Sequence, residues 1–237
     1  MKNNIAKKRG VLFDFDDTLA KTKVGKNMGL RQVSLEIYDY LRKRGFNVDL
    51  DKLYKEIYST AKMMDKKKIY DRNLWWCFVI KKFLKGKIAK SLLNSLTKTY
   101  WGRVIKKSEL YKDTLSILAY LKKKGYSLGL ITDTDGMKGL KDKRIKLLNL
   151  KKWFNSVIVA GEDTKQTKPE RTPLILISQK LNLKPKECVF VGNNPHVDIL
   201  GAKKLGMATI LIKRQNDKTK IKPDRIIKKL SQLKEIL

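Results

Sequence analysis

Three carboxylates follow an apolar run near the start of the chain, in Val11-Leu12-Phe13-Asp14-Phe15-Asp16-Asp17-Thr18. A buried strand that runs into acidic residues is costly unless those residues hold a cation. Two carboxylates one residue apart, Asp14 and Asp16, suit a hard, oxygen-seeking ion such as magnesium. Asp17 or Thr18 can cap the turn that follows. A second apolar run, Leu130-Ile131, leads into Thr132-Asp133-Thr134-Asp135-Gly136. A hydroxyl and free N–H groups at a strand end can hold a phosphate oxygen, and the same residues are also ordinary turn formers. A third segment, Lys165-Gln166-Thr167-Lys168-Pro169, offers a lysine to neutralise a nucleophilic carboxylate and an incoming phosphate. A fourth, Gly192-Asn193-Asn194-Pro195-His196-Val197-Asp198, supplies further oxygen ligands. His196 is the only histidine in the chain; with Asp16 available as acid and base, it is expected at the surface or in a cap.

These segments need a frame that brings them together. Five continuous apolar runs read as strands buried on both faces: residues 11–15, 127–131, 156–160, 188–192 and 208–212. Helical patterns separate them. Leu115, Leu118, Ala119 and Leu121 end at Gly125; Leu174, Ile177, Leu181 and Leu183 precede the fourth strand; Ile199, Ala202 and Leu205 end at Gly206. Strands alternating with helices predict an α/β, Rossmann-like three-layer core with a parallel sheet. In such sheets the active site lies at the carboxyl ends of the strands, where the polar segments fall.

Residues 21–107 break the alternation. Leu30, Val33, Ile37 and Leu41 form one helical stripe, and Leu53, Ile57 and Ala61 a second. Leu74, Phe78 and Phe83 suggest a third; Ala89, Leu92, Leu93 and Leu96 suggest a fourth, with Tyr100 and Trp101 near its end. The expectation is an inserted all-helical, four-helix unit over 21–107 and a discontinuous core of 1–20 and 108–237.

Composition narrows the class. Hydrophobic residues make up 42% of the 237, enough for a buried core despite 33% charged residues. The basic start, Met1 to Arg9, leads into a run broken by carboxylates, which a secretory signal does not tolerate. No apolar stretch approaches the roughly 18 residues of a membrane span. Cys77 and Cys188 have neither zinc nor disulfide spacing, consistent with a reducing cytoplasm. The 55 Lys and Arg against 23 Asp and Glu leave a formal net charge of +32. The lysines are scattered in pairs and triplets, so solvated faces explain them more simply than a nucleic-acid surface, and no RNA-binding aromatic motif is present.

Taken in order, Asp-x-Asp-Asp-Thr, strand-Thr-Asp, Lys-Pro and Gly-Asn-x-x-x-x-Asp resemble the four motifs of the haloacid dehalogenase-like hydrolase superfamily. The helical insert resembles that family's C1-type cap. The run Gly125-Tyr126-Ser127-Leu128-Gly129-Leu130-Ile131-Thr132-Asp133 is most similar to archaeal phosphatases of the glyceraldehyde-3-phosphate phosphatase kind. The resemblance implies a magnesium-dependent phosphate monoester hydrolase working on a small phosphorylated metabolite through an aspartyl phosphate. Asp14 would be the nucleophile and Asp16 the acid and base. Thr132, Asp133 and Lys168 would bind phosphate. Asp14, Asp16 (through its carbonyl), Asn193 and Asp198 would hold Mg2+. Cap residues Tyr70, Arg72, Trp75 and Trp76 are candidates for substrate selection, although the tryptophans suit packing better. Two departures stand out. The family usually has Gly-Asp where this chain has Gly192-Asn193, so the site lacks one negative ligand. Two extra residues also separate Lys168-Pro169 from Pro173, which leaves Lys165 as an alternative to Lys168. A site weakened at Asn193 would instead suit a pseudo-phosphatase that binds nucleic acid or another polyanion.

Overall fold

A computed structural model describes residues 5–214 and 220–237; Met1–Asn4, the start of the basic N-terminal run, lie outside the described residues. The chain forms two compact units. One comprises Met1–Lys21, Glu109–Thr134 and Lys138–Leu237; the other comprises Thr22–Ser108 and Asp135–Met137.

In the first unit, β1 (Gly10–Phe13) is followed by the two-residue strand β2 (Ala20–Lys21). In the second, four helices follow: α1 (Lys23–Arg42), α2 (Leu50–Lys66), α3 (Arg72–Ile80) and α4 (Lys90–Lys107). The first unit then resumes with β3 (Glu109–Leu110), α5 (Thr114–Lys123), β4 (Ser127–Asp133), α6 (Leu140–Leu147) and β5 (Ser156–Ala160). It continues through α7 (Arg171–Lys180), β6 (Cys188–Gly192), α8 (Leu200–Lys204), β7 (Ala208–Ile212) and β8 (Arg225–Ile227). Among the described residues six strands form one parallel sheet in the order β5-β4-β1-β6-β7-β8. The short pair β2 and β3 is antiparallel and closes the point where the chain leaves and rejoins this unit.

Alternation along the strands divides the core between two faces. Val11, Phe13, Val189 and Val191 pack with Ile117, Leu118 and Leu121 of α5 and Ile145 of α6. Leu12 and Phe190 turn the other way, onto Leu174 and Ile177 of α7 and Ala202 of α8. Burial of such a side chain is worth about 1.5–3 kcal/mol, and both faces being covered explains why the strands read as unbroken apolar runs. The helical stripe expected in α5 is shifted: Leu115 and Ala119 are exposed, and Ile117 takes the core position with Leu118 and Leu121.

The helical unit also packs differently from the simplest reading. On α3, Leu74 and Phe78 are exposed, whereas Trp75, Trp76, Val79 and Ile80 are buried. The rings win because their polar edges are satisfied inside. Trp75 Nε1 donates to the Ile69 carbonyl at 2.6 Å, and Trp76 Nε1 to the Thr97 hydroxyl at 2.9 Å. Ala89 is exposed at the start of α4, whose inner face is Leu96, Thr97, Tyr100, Trp101 and Val104. Helices α1 and α4 approach closely at Gly29, where a Cβ would sit 2.7 Å from the Tyr100 ring.

Candidate active site

The strand order reverses direction at β1: the chain runs outward to β4 and β5, then returns to β6 on the other side. Open parallel sheets form their binding crevice at such a point, beyond the carboxyl ends of the strands. Asp14 leaves β1 there, with its N–H bonded to the Val191 carbonyl at 3.0 Å. The backbone then turns tightly. The Phe15 carbonyl accepts from the N–H groups of Thr18, Leu19 and Ala20, and Asp17 takes a left-handed φ of 59°. Outer bonds fix the turn: the Thr114 hydroxyl donates to the Leu19 carbonyl at 2.8 Å, and Arg214 Nη2 to the Thr18 carbonyl at 3.0 Å.

Asp14 and Lys168 form the centre. Lys168 Nζ lies 2.6 Å from Asp14 Oδ1 and 2.8 Å from Asp198 Oδ1, and all three side chains are buried. Lys165 is exposed, so the structure brings Lys168 to Asp14. Burial pushes the Asp14 carboxyl up to about 6, against the pull of Lys168. Burial also works against the Lys168 charge, but the summed attraction of Asp14, Asp198 and Asp133 outweighs it and holds the ammonium above its ordinary range.

Two residues expected to act on ligands have structural duties here. The Asp133 carboxylate accepts the Lys168 backbone N–H at 3.0 Å, and burial raises its pKa. A carboxyl group so placed fixes the lysine loop. The Asp198 carboxylate is divided between Lys168 Nζ and the Asn194 N–H at 2.9 Å. Gly192 is required at that point, because a Cβ would come within 2.5 Å of Asp198 Oδ2. Thr132 is buried at the end of β4. His196 is exposed, and its N–H is capped by Asn194 Oδ1.

Thr18 Oγ1 donates to Asp14 Oδ2 at 2.9 Å and also lies 3.3 Å from Asn193 Oδ1. One hydroxyl proton therefore faces two acceptor oxygens. A carboxylate and an amide oxygen gathered with a proton shared between them suit a hard cation, and no soft ligand is among them. No cluster of three acidic, histidine or cysteine side chains placed to hold a metal occurs among the described residues. Magnesium does not require one, since it usually takes one or two carboxylates and fills the remaining positions with water and phosphate oxygens.

The Asp16 carboxylate is bound by two cations. Lys141 Nζ binds one carboxylate oxygen, and Arg144 Nη2 binds the other at 2.5 Å. Both cations stand on α6, whose approach is set by Glu162: its carboxylate accepts from Thr134 Oγ1 and from the Gly139 N–H, each at 2.7 Å. Neither α6 nor these residues is legible as a site in the sequence. Two cations three residues apart are the only available signal, and 55 Lys and Arg hide it.

Residues 11–212 match the family described as haloacid dehalogenase-like hydrolase. The chain belongs to the haloacid dehalogenase-like hydrolases. Among curated relatives, the glyceraldehyde 3-phosphate phosphatase of Methanocaldococcus jannaschii is 28% identical over 204 residues, covering 86% of this chain and 84% of that protein. A pyrophosphatase of Bacillus mycoides is 32% identical over 133 residues, 54% of this chain; the match spans 60% of that relative's length. Among solved structures, a phosphatase of the same family from Thermococcus onnurineus superposes with a TM-score of 0.70 at 29% identity, covering 96% of this chain and 97% of the other. Within this haloacid dehalogenase-like chain, no helix of the described residues is long and apolar enough to cross a membrane.

Proposed function

We propose that this hydrolase is a magnesium-dependent phosphatase of small phosphate monoesters, acting from the cytoplasm through a phosphoryl group carried on Asp14. The observation that carries the proposal is the buried Asp14 carboxylate, 2.6 Å from a lysine whose charge is fixed by three carboxylates. The names of the three relatives described above, a glyceraldehyde 3-phosphate phosphatase, a pyrophosphatase and a phosphatase of the same family, support the same reaction class.

In this reading Asp14 attacks phosphorus in line with the leaving alkoxide, which takes a proton from Asp16 as it departs. Asp16 then accepts a proton from the water that cleaves the aspartyl phosphate. Lys168 and Thr132 hold the phosphoryl oxygens, and Asp133 and Asp198 keep Lys168 in place. Asp14, the Asp16 main-chain carbonyl and Asn193 are the groups that would hold magnesium. The chemistry supplied by the bound ion is neutralisation of charge on the phosphoryl oxygens. Asn193 Oδ1 faces the Thr18 hydroxyl that also serves Asp14, which favours a working site over a retired one. The helical unit takes the role of cap in this scheme.

The test is hydrolysis of p-nitrophenyl phosphate with and without magnesium, with Asp14→Asn as the blank. Magnesium-dependent turnover that is lost in the variant is the expected result. Equal turnover by the variant rules out Asp14 as nucleophile. Absence of turnover, joined by salt-sensitive binding to RNA or DNA, moves the reading to polyanion binding.

A further inference from the structure

Lysine pairs that look scattered along the chain are gathered by the sheet. Its six strands are parallel, so their amino ends share one edge, opposite the carboxyl ends beyond which Asp14 lies. The five residues ahead of each strand, 5–9, 122–126, 151–155, 183–187, 203–207 and 220–224, hold 14 Lys and Arg against two carboxylates. Both carboxylates are engaged: Glu187 pairs with Arg9 at 3.0 Å, and Asp224 accepts from the Thr209 N–H and hydroxyl. Contacts join the entrances of neighbouring strands into one stripe. Lys8, before β1, donates to the Lys186 carbonyl before β6 at 2.5 Å. The Ser127 N–H of β4 donates to the Arg9 carbonyl at 3.0 Å, and Lys122, before β4, donates to the Lys152 carbonyl before β5 at 3.1 Å. A cavity of about 350 Å³ lies in the stripe, lined by Lys8, Arg9, Lys124, Gly125, Tyr126 and Ser127. Rings are set among the cations: Lys124 and Lys234 lie 5.7 and 5.5 Å from the centre of the half-buried Tyr120 ring, and Lys122 lies 5.9 Å from that of Trp153.

We propose that this amino-terminal edge of the sheet is a binding surface for single-stranded nucleic acid, with one phosphate seated in the cavity between Lys8 and Lys124. Like charges gathered on one surface repel, and a chain of phosphates relieves that repulsion while it sheds its own counterions. At the usual spacing of strands, β6, β1, β4 and β5 carry the stripe across about 14 Å, room for several nucleotides of one strand. Cations interleaved with aromatic rings suit a single strand, whose bases are free to stack. A membrane surface fits less well, because it needs apolar side chains beside the basic ones. The exposed large hydrophobic residues, such as Leu74 and Phe78 on α3 and Ile226 on β8, lie outside this stripe. The surface is separate from the Asp14 cluster and does not depend on the reaction performed there.

The test is fluorescence anisotropy with a labelled oligouridine of about 15 nucleotides that carries no terminal phosphate, titrated at several salt concentrations. With about four phosphates engaged, the logarithm of the binding constant should fall against that of salt with a slope of about −3. Replacing Lys8→Gln and Lys124→Gln together should flatten the slope by about 1.4 and weaken binding about tenfold or more at 0.1 M salt. The control removes the same charge elsewhere, by Lys66→Gln with Lys67→Gln on α2, where both lysines are exposed or cap the helix. This pair should leave the slope as it was. Thermal melting of each variant confirms that it is folded. Equal losses in the two double variants mean that net charge alone is being read, and they overturn the surface. Loss of binding in Asp14→Asn moves the strand to the other end of the sheet and overturns it too. So does binding to vesicles of phosphatidylserine and phosphatidylcholine without binding to oligouridine, which gives the stripe to a membrane.

Discussion

Each unit of this protein buries cations, and Lys168 in one and Arg72 in the other are neutralised in opposite ways. At the end of the sheet, Lys168 is surrounded by carboxylates: Asp14 at 2.6 Å, Asp198 at 2.8 Å, and Asp133 on its own backbone N–H. In the helical unit, Arg72 is surrounded by rings. Its guanidinium carbon lies 3.5 Å from the centre of the Trp75 ring, with Trp101 and Tyr100 at 5.2 and 5.4 Å, and Nη1 donates to the Tyr70 carbonyl at 2.9 Å. Arg72 Nη2 also lies 3.9 Å from a carboxylate oxygen of the exposed Asp65. Ring faces and a carbonyl hold a flat cation without a buried carboxylate against it. Buried carboxylates hold a compact one at a cost in desolvation that a packing role does not need. The sheet-end cluster therefore has the groups for chemistry, and the Arg72 cluster has the groups for packing.

The sharpest way to break this contrast is to remove each cation in turn. Asp14→Asn should lower turnover by about 10^4 or more, and Lys168→Met by about 10^3, both measured under saturating magnesium. Lys168→Met should also destabilise the sheet unit by about 3–5 kcal/mol, because it leaves buried carboxylates unpaired. Arg72→Met should show the reverse pattern. Its loss should cost about 1–3 kcal/mol and leave the ranking of phosphate esters as it was. Tryptophan fluorescence reads that loss well, since Trp75, Trp76 and Trp101 lie in the helical unit and only Trp153 in the other. A changed substrate ranking in Arg72→Met would erase the contrast.

Smaller effects sharpen the description of the sheet end. Only the ionised form of Asp14 can ligate a metal, and burial raises its pKa to about 6 in the metal-free protein. Magnesium affinity should therefore fall as pH drops through that value, by about tenfold per unit at lower pH, and be level above neutrality. Calorimetric titration across this range checks the sign; affinity that rises on acidification contradicts it. Asn193→Asp restores a charge beside Asp14 and should tighten magnesium by about tenfold with a smaller change in turnover.

The parallel core was legible because both of its faces are covered. Residues 156–160, 188–192 and 208–212 read as unbroken apolar runs and are strands β5, β6 and β7. The outer strand β8 escaped notice because Arg225 and Ile226 are exposed and only Ile227 is buried. Helix α6 escaped because its sequence is mostly charged, and its buried residues are Lys141 and Arg144 beside Ile145. Hydrophobic periodicity cannot find a helix whose inner face is cationic. At the site, residue order alone pointed to Asp14, Thr132 and the Lys168 segment. Choosing Lys168 over Lys165 required burial. The bonds that turn Asp133 and Asp198 toward Lys168 join residues far apart in the chain, which no local pattern reveals.

The central claim, a phosphoryl group carried on Asp14, can be read directly by chemical trapping. The enzyme would be mixed with magnesium and a phosphate ester, quenched in acid during turnover, and reduced with borohydride, which converts an aspartyl phosphate to homoserine. Peptide mass spectrometry is expected to find homoserine at position 14, only in samples given both magnesium and substrate. Steady hydrolysis with position 14 still aspartate, or homoserine at another carboxylate, would contradict the mechanism.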